Sequence, residues 1–349
     1  METFKAHIDL EMLESWPRKE GVGRGRLENV CMLSGGTQNV LMKFVLDGRH
    51  LVLRRPPPVL RQSSNETMRR EARLLAALSA SDLPHPPLVA VSSDERILGA
   101  AFYVMEAVDG FNPTEGLPPI YASNADFRRE MGLVMARTAA RLGELDYEAL
   151  GLDGFGNPVG YLERQAGRWR AHLDTYRRFK AWPGVEALGS VAEVGEWLEA
   201  HRPVAGRPGI LHGDFHIANV LFDRASPTLK ALLDWELSTI GDPLLDLGWL
   251  LATWSETETI EPEDVGVEPW TGFPTHRELV AEYSKCSSRD LTNVGWYAVL
   301  ACWKMAIVVE GTYARALDGQ APPDTGIRLH KKAQGLIARA ERWVARPIV

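Results

Sequence analysis

Cysteine is scarce in this chain. Cys31, Cys286 and Cys302 are odd in number and widely scattered, so the sequence offers neither a disulfide framework nor a close thiol pair of zinc-binding type. A reducing, cytoplasmic location is the expectation. Basic charge is also short, with 39 Lys and Arg against 46 Asp and Glu and a formal net charge of −7. Nucleic-acid binders need basic surfaces to meet phosphate backbones, so that class is set aside. Long apolar runs are missing: the longest, Trp296 to Val309, is shorter than a bilayer span and contains Lys304, so it is read as a buried helix and no membrane partner is expected. Residues 1–16 carry acids throughout and lack the apolar core of a signal peptide, so no export is expected. What is present is an ordinary globular composition, 45% hydrophobic and 24% charged over 349 residues, enough for a sizeable core and for about two domains or lobes.

The chemistry is concentrated in residues 209–249, GILHGDFHIANVLFDRASPTLKALLDWELSTIGDPLLDLGW. Two apolar runs, Val220 to Phe222 and Leu229 to Leu233, read as strands joined by the turn-rich Asp223 to Pro227. Asp214 precedes the first strand and Asp234 ends the second. If they pair as a hairpin, Asp214, His216, Asn219 and Asp234 gather at one end, an oxygen-rich set suited to Mg2+.

Upstream, Asn29 to Leu33 and Val40 to Leu46 read as strands flanking Ser34, Gly35, Gly36 and Thr37. Glycines there let backbone amides approach a phosphate, although Ser-Gly-Gly also fits a plain hairpin turn. A third strand, His50 to Arg54, is stopped by Pro56, Pro57 and Pro58. Ser63 to Glu66 has the pattern of a capping box opening a helix that runs to about Leu78. On that helix Met68, Glu71, Leu75 and Leu78 share one face, so Glu71 falls within the stripe to be buried and needs a partner. Leu88 to Ser92 and Ala101 to Met105 complete the strands. Beyond them the periodicity turns helical: 124–145, with Phe127, Met131, Met135 and Leu142 on one stripe, then 158–179, 191–201, 276–287, 290–317 and 328–344. Arg164, Arg168, Arg170, Arg177 and Arg178 read as a solvated face or, alternatively, as an anion-binding wall. The acidic stretch 255–268 reads as an exposed loop or lid.

These motifs resemble the aminoglycoside phosphotransferase and choline kinase superfamily, relatives of the protein kinases. His212-Gly213-Asp214 stands where kinases have His-Arg-Asp, Asn219 at the catalytic-loop asparagine, and Asp234-Trp235-Glu236 at Asp-Phe-Gly. Val52 to Pro57, Leu233 to Gly248, Trp303-Lys304 and Gly311 to Arg315 resemble the branch of kinase domains associated with acyl-CoA dehydrogenases. The resemblance implies an α+β, two-lobed protein-kinase-like fold. It comprises a small β-rich N-terminal nucleotide-binding lobe, 1–108, and a larger, mainly helical catalytic and substrate-binding lobe, 109–349.

It also implies roles. Asp214 is the catalytic residue that accepts or orients the acceptor hydroxyl's proton, and Asn219 and Asp234 are the Mg2+ ligands. Ser34, Gly35, Gly36 and Thr37 cover the nucleotide, ATP or GTP. Arg54 stands in place of the usual phosphate-holding lysine and pairs with Glu71, a departure because an arginine fork is not an ammonium. The backbone of Glu106 and Val108 meets the base. His212 braces the loop, His216 receives no chemical role, and Asp246 secures the loop after Asp234. The implied partners are a nucleotide and a small hydroxylated acceptor. Enzymes acting on cationic aminoglycosides carry carboxylates near the chain end, whereas 340–349 is basic and apolar; a hydroxyacyl or other anionic acceptor is expected instead, anchored by Arg164, Arg168 or Arg170. An aminoglycoside kinase remains the first alternative. A metallohydrolase using His212, Asp214, His216 and Asp234, or a non-catalytic kinase-like nucleotide-binding module, are the alternatives of another class.

Overall fold

A computed structural model of the chain describes residues 10–33, 39–60, 62–257 and 259–348. The Ser34, Gly35, Gly36 and Thr37 segment lies outside the described residues. The chain forms two compact units: 1–109 with 148–152 and 230–236, and 110–147 with 153–229 and 237–349.

The first unit is an antiparallel sheet of five strands in the order β1-β2-β3-β5-β4. The strands are β1 (Glu28–Met32), β2 (Val40–Leu46), β3 (Arg49–Arg55), β4 (Leu88–Ser92) and β5 (Phe102–Glu106). Asp47 and Gly48 link β2 to β3 with positive φ at both positions, 50° and 77°, the backbone that matches the twist of a two-residue hairpin. Strand alternation sorts the side chains. Leu51 and Leu53 of β3 join Met42, Phe44, Phe102 and Val104 in the core, with Leu13 and Trp16 of the Leu10–Lys19 helix against them. Arg54, one position on, points the other way, toward the Ser64–Leu78 helix and Glu71.

That helix departs from expectation at its start. Ser63 has helical dihedrals, φ −95° and ψ 0°, and its side chain makes no capping bond. Its carbonyl is already taken by the Thr67 N–H and hydroxyl, and the Asn65 side chain accepts from Ala101 N instead. A capping box does form at the Thr275–Glu278 turn, where Glu278 accepts from Thr275 N at 2.7 Å and Thr275 accepts in return.

The second unit is mainly helical. Asn124 caps the Ala125–Glu144 helix by accepting from Asp126 N and Phe127 N. The helix expected over 158–179 is α-helical only at Gln165–Asp174, followed by a 3₁₀ turn, Thr175–Arg178. Gly160 has φ 61°, and Arg164 ties down the preceding loop by donating to the carbonyls of Asn157 and Val159. The apolar run around Lys304 belongs to a longer helix, Val294–Leu317, which by length and composition could cross a membrane but is mostly buried. It packs on the Pro323–Ala345 and Leu244–Thr253 helices, and every residue of the latter is buried.

The acidic stretch 255–268 is not simply a solvated loop. Glu263 and Asp264 are buried. Arg339, also buried, donates to Asp264 Oδ1 at 2.6 Å and to Ala252 O at 2.8 Å, with Glu263 Oε1 at 3.4 Å. Trp343 donates to Glu256 Oε1 at 2.8 Å. Removing one member of such a buried group leaves uncompensated charge, at a cost of about 3–5 kcal/mol. Arg339→Ala is therefore expected to lower unfolding free energy by about that amount in urea denaturation. A loss below about 1 kcal/mol would return this stretch to the solvated class.

Candidate active site

In the first unit the site is built on the end of β3. Arg54 Nε lies 3.1 Å from Glu71 Oε2, while Nη2 reaches Asp234 Oδ1 at 2.6 Å and Glu236 Oε2 at 3.5 Å. One guanidinium therefore spans three carboxylates from different parts of the chain, a reach that the single point charge of a lysine lacks. Tyr103, opposite Arg54 in the β3–β5 register, donates to Glu71 Oε2 at 2.8 Å. Burial pushes the Glu71 carboxyl up to about 7, against the pull of Arg54 and the Tyr103 hydroxyl in the other direction. Asn39 donates to Glu236 at 2.9 Å. Asp234 has φ +65°, uncommon for a residue with a side chain and characteristic of functional turns. Its carboxylate is 38% exposed, leaving oxygen available to a ligand. At the end of β5, Glu106 N donates to Pro87 O and the Glu106 side chain takes Arg49 at 2.5 Å. The Val108 backbone makes no hydrogen bond among the described residues.

In the second unit the site is the His212-Gly213-Asp214 loop. Asp246, buried near the start of the Leu244–Thr253 helix, accepts from His212 N at 2.7 Å and Gly213 N at 2.9 Å. Burial pushes its carboxyl up to about 7, opposed by those two amides. Asp246 thus secures the loop bearing Asp214. Gly213 has φ +85°, and a Cβ there would come within 2.5 Å of Leu237 O, so the middle position of the motif has to be glycine. His212 is fully buried and its Nδ1 accepts from Asp214 N, a bracing contact.

Three donors converge on the Asp214 carboxylate. Trp249 Nε1 donates to Oδ1 at 2.9 Å, His216 Nε2 lies 3.2 Å from the same oxygen, and Asn219 Nδ2 donates to Oδ2 at 3.0 Å. His216 Nδ1 accepts from Ala218 N, which leaves the proton of a neutral ring on Nε2, facing Asp214. Burial works against the Asp214 charge, but His216, His212 and Asn219 outweigh it and hold the carboxyl well below its usual range. With its amide nitrogen committed to Asp214, Asn219 keeps an Oδ1 that no hydrogen bond engages among the described residues.

Each unit thus offers a hard oxygen, Asp234 in the first and Asn219 in the second. Among the described residues no group of three or more His, Cys, Asp or Glu could hold a metal unaided. This fits Mg2+, which takes one or two protein ligands and fills its shell with water and phosphate. It does not fit the hydrolytic set of the metallohydrolase alternative, in which ring nitrogens of His212 and His216 are already hydrogen-bonded.

Several residues at the site received no role from the sequence: Tyr103 and Glu236 in the first unit, Trp249 and Lys304 in the second. Lys304 Nζ lies 4.6 Å from the Trp249 ring centre and 5.3 Å from that of Trp169. The arginine wall is largely spent. Arg164 holds loop carbonyls, Arg170 pairs with Glu199 at 3.3 Å and Arg177 with Asp174 at 3.2 Å. Arg168, 5.5 Å from the Trp169 ring, is the candidate anchor left without an ion pair among the described residues.

The fold is α+β and protein-kinase-like, with an Arg–Glu pair on its sheet and a His-Gly-Asp loop in its helical part. Residues 30–279 match the phosphotransferase enzyme family, and the chain belongs to that family. A solved structure from Ralstonia eutropha, provisionally assigned as an aminoglycoside phosphotransferase, is 29% identical with a TM-score of 0.76, covering 96% of this chain and 99% of that one. A thermostable mutant of aminoglycoside phosphotransferase APH(4)-Ia in ternary complex with ADP and hygromycin B shares the fold at 15% identity and TM-score 0.57, covering 94% and 98%. Human acyl-CoA dehydrogenase family member 11 is 30% identical over 335 residues, 89% of this chain and 41% of its own length. The chain spans between 28% and 44% of the acyl-CoA dehydrogenase relatives it matches.

Proposed function

We propose that this protein transfers the γ-phosphoryl group of ATP to a hydroxyl of a small acceptor, with Asp214 orienting that hydroxyl and receiving its proton. The observation that carries this reading is the Asp214 carboxylate, kept ionised and aimed by Trp249, His216 and Asn219, in a chain of the phosphotransferase family. Phosphoryl transfer needs little covalent help from a protein; it needs the acceptor oxygen in line and the developing charge offset. Mg2+, when bound, neutralises phosphate charge, and Asn219 and Asp234 are its proposed ligands. Arg54, steadied by Glu71, is the proposed phosphate clamp, and the Glu106 and Val108 backbone the proposed base contact. Nucleotide use is supported by the ADP complex of the APH(4)-Ia relative. An anionic acceptor such as a hydroxyacyl compound is supported by the likeness to acyl-CoA dehydrogenase family members.

The test is ADP release with Mg2+ and ATP across hydroxyacyl-CoA thioesters, free hydroxy acids, choline, homoserine and aminoglycosides. Turnover dependent on both Mg2+ and a hydroxylated acceptor is expected. Hydrolysis that needs Zn2+ and no nucleotide would favour the metallohydrolase. Nucleotide binding without turnover of any acceptor would favour the non-catalytic module, and efficient turnover of aminoglycosides alone would sink the anionic acceptor while leaving the kinase intact.

A further inference from the structure

Lys304 is a cation without a hydrogen-bonding partner. It sits within a largely apolar helix, and no hydrogen bond or ion pair engages Nζ among the described residues. Two indoles flank it, Trp249 and Trp169. Aromatic faces attract an ammonium but accept none of its three N–H groups. Lys304 is half-buried, and its ammonium is not among the buried side-chain atoms without a partner, so its N–H groups are open to solvent and to a ligand.

The Trp249 indole ties this cation to Asp214. Its Nε1 donates to Asp214 Oδ1 at 2.9 Å while its ring carries the Lys304 ammonium. Carboxylate and ammonium therefore meet the same indole. Arg168, 5.5 Å from the Trp169 ring centre, adds a second positive charge near the same indole as Lys304. The protein's own ammonium already stands over both of these rings.

We infer that Lys304 selects the acceptor by binding its oxyanion, a carboxylate or a phosphate ester, a few bonds from the hydroxyl that Asp214 orients. The inference rests on the reading of Asp214 given above. It makes Lys304 a specificity-determining residue and excludes choline-like and aminoglycoside acceptors on charge. Burial lowers the Lys304 pKa to about 8 while Asp214 and Asp246 pull it up and Arg168 pushes it down. Recognition should accordingly weaken as the solution passes above pH 8.

The experiment uses the full chain, wild type, Lys304→Met and Lys304→Arg, with a non-hydrolysable ATP analogue and Mg2+. Calorimetry compares straight-chain 3- and 4-hydroxy acids with their uncharged amides, glycerol 3-phosphate with glycerol, and choline. Wild type is expected to bind at least one oxyanion series tenfold or more tightly than its uncharged counterpart. Lys304→Met should lose that preference while binding the uncharged probe as before, and Lys304→Arg should retain most of it and lose its decline above pH 8. The series that shows the preference distinguishes carboxylate from phosphate. Absence of any preference in wild type, or its survival in Lys304→Met, overturns the inference. Failure of the kinase reading is seen separately, as no phosphoryl transfer to any probe while the charge preference in binding persists.

Discussion

Asp214→Asn is expected to lower phosphoryl transfer by about 10²–10⁴-fold, the usual cost of losing a positioned proton acceptor, with nucleotide binding close to unchanged. The reason lies in the donors around it. Trp249, His216 and Asn219 present three N–H groups to a carboxylate with two acceptor oxygens. An amide offers one oxygen, so its NH2 must face at least one donor, and the side chain turns away from its working position. Asp234→Asn should differ, because the proposed loss of a metal ligand weakens capture of Mg-nucleotide as well as the rate. Single-turnover rates and nucleotide titrations on both variants separate the two roles. Near wild-type turnover by Asp214→Asn would remove it from the chemistry. The Asp214 carboxyl is held well below its usual range, so it stays ionised as pH falls through the ordinary carboxylate region. Any acid limb in kcat near neutrality belongs to another group.

Arg54→Met is expected to be the next most damaging change, with kcat/KM for nucleotide falling by about 10²-fold or more. Losing Arg54 removes a charge that offsets Asp234 and Glu236 and leaves Glu71 buried without its cation, a class of change that costs about 3–5 kcal/mol. Glu71→Gln alone should cost less, because Tyr103 can still donate to it. In the double variant the losses should not add, and a coupling of about 0.5–3 kcal/mol is expected for groups in direct contact. Kinetics and unfolding measured on the same four proteins check this. Strict additivity in kcat/KM would mean that the pair acts only on stability.

The Arg54–Glu71 pair could be anticipated because a local signal met a family resemblance. A carboxylate within the apolar stripe of a helix has to find a partner, and the family resemblance supplied Arg54 as that partner. The His-Gly-Asp loop was legible for the same kind of reason, since Gly213 and Asp246 are needed by the backbone itself. Other features left no local trace. Arg339 with Asp264 reads from composition as two solvated charges, because their partnership crosses 75 positions of sequence. The arginine-rich stretch 158–179 has helical periodicity, yet its first part is a loop held by Arg164. Ser63 carries the residues of a capping box, but its backbone is helical rather than extended and its side chain makes no capping bond.

What the sequence alone determined is whatever rests on near neighbours: strand alternation, the Asp47-Gly48 hairpin, the stripe holding Glu71, and the motif spacing that marks a phosphotransferase. Tertiary structure decided which distant groups meet. It set Trp249 and His216 on Asp214, Glu236 and Asp234 on one arginine fork, and Lys304 between two indoles. Helical and strand periods are written by forces acting over a few residues, so they survive in the linear order. The company a buried charge keeps is fixed by packing between elements that the linear order separates by tens or hundreds of positions.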